Sequence, residues 1–69
     1  MEDLVKMLKK VCKKILILLK CEGDLSFEEI QILIGNYYDD EQIKDAISVL
    51  LDKDLIDFNV DKHIYFIKT

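Results

Sequence analysis

The side chains able to do chemistry here are few, and most carry one sign. There is one histidine, His63, two cysteines, Cys12 and Cys21, and fourteen carboxylates; all ten basic residues are lysines. Catalysis needs a nucleophile, a base and an orienting group within reach of one another. The sequence has no Gly-rich phosphate loop, no His–acid–nucleophile set and no carboxylate pair with a histidine beside it, so a chain that is not an enzyme is expected. Two cysteines and a histidine without C-x-x-C or H-x-x-x-H spacing make no metal motif, and no cofactor or metal is expected. On one helix Cys12 and Cys21 lie roughly 13 Å apart along the axis, too far for a disulfide. Reduced cysteines and no basic leader with a cleavage site point to an intracellular, cytoplasmic protein.

The stretch DDEQIKDAISVLLDKDLIDF, residues 39–58, organises the rest. Asp39 or Asp40 can cap a helix over about 40–53, and Gln42 can reach back to the cap from Asp39. Ile43, Ala46, Ile47, Leu50 and Leu51 recur at helical spacing and form the inward stripe. Glu41, Asp45, Ser48 and Asp52 then point outward, flanked by Gln42, Lys44 and Val49. Asp54 stands where a left-handed residue is expected, a conformation Asp tolerates.

A chain of 69 residues is one domain, and one this short buries only about 60% of its unfolded surface. Its 51% hydrophobic content supports a core and leaves apolar surface for a partner. Charge is segregated. Residues 1–20 hold six lysines against Glu2 and Asp3, a net +4, while residues 21–69 hold twelve acids against four lysines, a net −8. The run ILILL is too short to span a bilayer, so no membrane is expected.

Residues 2–22 read as one helix. Leu4, Leu8, Val11, Ile15 and Leu18 form its central stripe, with Met7 on one side and Val5, Cys12, Leu16 and Leu19 on the other. The lysines fill the opposite arc, and Ile17 falls among them. Gly23 is placed for positive φ at the helix end. Leu25 suits a strand of one or two residues. Ser26 and Glu29 form a capping box opening a helix over about 27–34, with Phe27, Ile30, Leu33 and Ile34 inward. Residues 55–60 and 63–68 are strand-like. With Asp61-Lys62 as the turn, Val60 faces His63, Phe58 faces Tyr65 and Ile56 faces Ile67, aromatic on aromatic.

This order of helix, short strand, helix, helix and hairpin resembles the winged helix-turn-helix family over nearly the whole chain. The resemblance is carried by Ile15-Leu16-Ile17-Leu18-Leu19 ending the first helix and by Leu25-Ser26-Phe27-Glu28-Glu29-Ile30 opening the second. ISVLLDKDLI, residues 47–56, is similar to the family's "LxxLxxxGLI" junction, with Asp54 where the family usually has Gly. The implied fold is α+β, a three-helix winged helix with a C-terminal two-stranded wing. In the family the third helix usually enters the DNA major groove and the wing touches the backbone or minor groove. The resemblance thus makes Gln42 and Ser48 candidates for base edges, and Lys44, Lys53, Lys62, His63 and Lys68 for the duplex backbone.

Two functions follow. One is a DNA-binding transcription regulator, dimeric through Leu4, Met7, Leu8 and Val11 of the first helix, which would set two third helices about one duplex turn apart. The other is a protein-interaction module of transcription or replication machinery, using Glu41, Asp45 and Asp52. The fold favours the first, the leading reading, while the residues themselves argue for the second, the alternative. Duplex affinity comes mainly from Lys and Arg on phosphates, bidentate Arg on guanine is the commonest specific base contact, and this chain has no Arg.

Overall fold

The computed structural model describes the backbone of residues 2–68 and the side chains of residues 6–68. Three helices come first, α1 (Glu2–Glu22), α2 (Phe27–Ile34) and α3 (Asp40–Asp52). Strands β1 (Ile56–Asn59) and β2 (Ile64–Ile67) follow as an antiparallel hairpin. The result is an α+β arrangement consistent with a winged helix.

Each element starts and stops for a local reason. Gly23 ends α1 with φ 88°, a conformation only Gly adopts without strain. At α2, the Ser26 hydroxyl accepts from the Glu29 amide at 3.2 Å and the Glu29 carboxylate accepts from the Ser26 amide at 2.9 Å, closing the expected capping box. Gly35 caps its far end and donates to the Gln31 carbonyl at 2.6 Å; a Cβ there would run into that carbonyl oxygen. Asp39 is the N-cap of α3, and its amide donates to Gln42 Oε1 at 2.8 Å.

One stripe from every element meets in the core. α1 contributes Val11, Ile15 and Leu19, α2 Ile30 and Ile34, and α3 Ile43, Ala46, Ile47 and Leu50, closed by Leu25 and Ile56. Four of the five residues expected to line α3 are buried, and Leu51 packs against them half-buried. Leu33 was expected inward but is 43% exposed. The inward arc of an eight-residue helix is narrow, and Ile30 and Ile34 fill it.

The hairpin has the register read from the sequence, with Ile56 opposite Ile67 and Phe58 opposite Tyr65, the two rings centred 4.8 Å apart. Its turn differs. Asp-Lys is not one of the Asn-Gly or Asp-Gly pairs that favour a two-residue hairpin turn. Residues 60–63 form the loop instead. The Asn59 side chain accepts from the Asp61 and Lys62 amides at 3.0 and 3.1 Å, the His63 amide returns to the Asn59 carbonyl at 2.7 Å, and His63 takes the left-handed conformation at φ 56°. Val60 and His63 are therefore loop residues and not a cross-strand pair. Leu25 adds a one-residue third strand, exchanging backbone hydrogen bonds with Tyr65 at 3.1 and 2.7 Å.

Between α3 and the wing, Asp54 is left-handed with φ 60°. Its carboxylate meets Lys68 Nζ at 3.4 Å, but both side chains are exposed, where such a pair contributes little. Replacing Asp54 by Gly should remove the left-handed penalty and stabilise the fold by roughly 0.5–1 kcal/mol. A lower melting temperature for Asp54→Gly would show that the carboxylate matters more than the backbone.

Candidate functional site

The capping of α3 at Asp39 and its buried stripe fix which side chains face away from the core. Glu41, Asp45, Ser48 and Asp52 are all exposed, in one row along the helix, spanning about 16 Å of its axis. The described residues contain one ion pair, Lys68 with Asp54, so no lysine is ion-paired with the row, although Lys44 flanks it. The stripe's two ends differ in cost. Glu41 sits in the first turn, where the helix dipole favours an anion. Asp52 sits in the last turn, where the dipole opposes it; the turn itself holds no basic residue, and the cation nearest in sequence is the C-cap, Lys53. Stability gives no reason for an acid at that end.

The seven residues proposed for nucleic acid do not form one surface. Gln42 is half-buried, and its carbonyl oxygen accepts from the Asp39 amide as expected of the cap. Lys44 and Ser48 line a cleft with Phe27 and Tyr65 on the α2 and hairpin side of α3. Lys62 and His63 are exposed at the wing loop, the imidazole edge-on to Phe58 at 6.0 Å. Lys53 and Lys68 turn the other way, toward α1.

The face of α1 proposed for a dimer is also divided. Val11 is fully buried in its own chain and is corrected from interface to core. Met7 is 39% exposed and, with Leu8, borders a shallow groove beside Gln42 and Asp45. The Leu4 side chain lies outside the described residues.

Sequence reading missed an apolar groove between α1, the end of α3 and the hairpin, floored by Leu8, Cys12, Leu16 and Leu55. Ile17, isolated among lysines on the polar arc, lines the stretch that adjoins it through Lys13, Leu16 and Leu55.

Cys12 lines that groove, its Sγ 3.6 Å from the Ala46 carbonyl oxygen. Burial raises its thiol pKa above the ordinary 9.0, against smaller lowering effects from the Lys53 charge and the backbone. Burial raises the Tyr65 phenol in the same way. Both groups hold their protons more tightly folded than unfolded. Their contribution to stability is therefore full below the unfolded pKa and is lost as pH rises through the folded value. Melting temperature should fall above about pH 9, and less so in Tyr65→Phe; an equal fall in that variant would exclude the phenol. Only the thiolate alkylates, so iodoacetamide at about pH 8 should label exposed Cys21 before Cys12.

Among the described residues no group of three or more His, Cys, Asp or Glu is placed to hold a metal ion, and no helix is long and apolar enough to cross a membrane. No protein-family model and no curated protein matches the chain.

Proposed function

We propose that this chain is a non-enzymatic recognition module of the winged-helix kind, and that the outward face of α3 binds a basic protein surface. The observation that carries this reading is the exposed row Glu41, Asp45 and Asp52, with no ion pair to any lysine. On a surface laid along duplex DNA these three carboxylates would meet phosphates, and like charges set together cost several kcal/mol by general estimates. On a surface laid against lysines and arginines of a protein they are complementary. Asp52 strengthens the case, because an acid in the last turn of a helix is tolerated against the dipole.

A second reading keeps DNA, with the chain as a transcription regulator. It is supported by the order of α3 and hairpin, with Lys44, Ser48, Lys62 and His63 exposed on or beside them.

The test is a titration of isotope-labelled protein with a basic amphipathic peptide of about 15 residues at about 50 mM salt. Amide shifts should centre on Glu41, Asp45, Ser48 and Asp52, shrink as salt rises, and vanish in the variant Glu41→Gln, Asp45→Asn, Asp52→Asn. Asp52→Asn alone should also raise stability by about 0.3–1 kcal/mol, since it removes the clash with the dipole. Shifts confined to other surfaces would remove α3 from the reading.

A further inference from the structure

Two surfaces of this chain match each other in polarity and in sign, and neither shares a residue with the acidic row of α3. The first is the groove beside α1. One stretch, about 360 Å³, has an apolar floor with Lys9, Lys13 and Lys53 among its lining residues. Through Lys13, Leu16 and Leu55 it continues into a second stretch that adds Ile17, Ile67, Lys20 and Lys68. Five of the ten lysines line this groove, and among the described residues no acid does. Lys68 is paired with Asp54; the other four have no ion pair among the described residues. From Leu8 to Lys20 the groove follows α1 for about 18 Å.

The second surface is the outward ridge of α2. Ile32 is 77% exposed, Leu33 43%, and Tyr37, in the turn just beyond, 75%. Glu28 and Glu29 accompany them on the exposed side. The surrounding sequence is acidic throughout, with six carboxylates and no lysine in residues 21–40. Gln31 Nε2 donates to Asp40 Oδ1 at 2.6 Å, which brings Asp40, at the start of α3, beside α2. An eight-residue helix is about 12 Å long, short enough to lie within the groove. Apolar side chains rimmed by charge on so small a chain mark an interaction surface, and a helix laid in an apolar groove is a standard mode of recognition.

We propose that the α2 ridge of one copy seats in the α1 groove of a second copy, so that the chain associates with itself head to tail. Ile32 and Leu33 lie against Leu16, Ile17 and Leu55, and the acids around α2 face Lys9, Lys13, Lys20 and Lys53. Ridge and groove are different surfaces of one molecule. Each added copy therefore leaves one of each free, and the assembly grows or closes into a ring. The contact is small, so association is weak, on the order of 10 µM or above, and salt lowers it because the complementary charges sit at exposed rims. This contact differs from the symmetric α1 dimer expected from sequence, and it does not rest on the function proposed above.

Sedimentation of the full chain from about 10 µM to 1 mM tests it. At low salt the mean mass should rise with concentration above 8.1 kDa and fall back in about 0.5 M salt. Two variants at exposed positions separate the halves, Lys9→Glu with Lys13→Glu in the groove and Ile32→Lys on the ridge. Each alone should stay at 8.1 kDa, while an equimolar mixture should form a one-to-one complex and nothing larger. If the double variant loses its helical circular dichroism, Lys13→Glu alone gives the same readout. The proposal is overturned by a wild-type chain that stays monomeric throughout, the result if the groove serves a different protein or an amphiphile. A mixture of variants that fails to associate where the wild type does overturns it equally.

Discussion

Truncation of Leu50 to alanine is expected to destabilise the fold by about 2–5 kcal/mol. Leu50 is 1% exposed and sits where the inward face of α3 meets α1 and the start of the wing. Its loss removes buried aliphatic carbon and leaves a cavity that short, capped helices cannot collapse around. A chain of 69 residues holds roughly 3–10 kcal/mol in total at ordinary values per residue. The variant should therefore melt lower by about 4–8 °C per kcal/mol, and much of the population should be unfolded at room temperature if the wild type lies near the low end. Chemical denaturation followed by circular dichroism reads this directly. An unchanged midpoint would mean that the inward face of α3 is not the one described.

Ile15 and Ile17 should respond to the same substitution very differently. Ile15 is fully buried at the centre of the α1 stripe, whereas Ile17, two residues on, is 45% exposed. Ile15→Ala should cost about 2–5 kcal/mol. Ile17→Ala should cost within about 0.5 kcal/mol, the usual range for surface positions, and should weaken self-association. Equal losses at the two positions would place the core on a different arc of α1 and remove Ile17 from the groove.

The helices were legible in the sequence because their limits are set by local chemistry. Ser26 with Glu29, Asp39 with Gln42, and Gly23 at positive φ each act within a few residues, so no knowledge of the rest of the fold is needed to see them. The hairpin register was legible because Phe58 opposite Tyr65 and Ile56 opposite Ile67 leave one good alignment. The loop was not, because the Asn59 side chain organises it from within the strand. Leu33 and Val11 were misplaced for a related reason. Periodicity finds an apolar arc, but the neighbours decide how much of it is covered, and in α2 they bury Ile30 and Ile34 with Phe27 packed beside them and Leu33 left exposed. The acidic row of α3 could be read from spacing alone, since the residues opposite a buried stripe face water. The groove could not, because its walls come from α1, α3 and the hairpin together.

The central claim is that an acid-faced α3 turns a winged-helix arrangement away from duplex DNA and toward protein. Its most direct test is a titration with a mixed-sequence duplex at about 50 mM salt, repeated at about 200 mM. The account predicts no binding by the wild type, and salt-sensitive binding appearing in the triple variant Glu41→Lys, Asp45→Lys, Asp52→Lys. Wild-type binding whose affinity falls steeply with salt, with shifts along α3 and at Lys62 and His63, would contradict it.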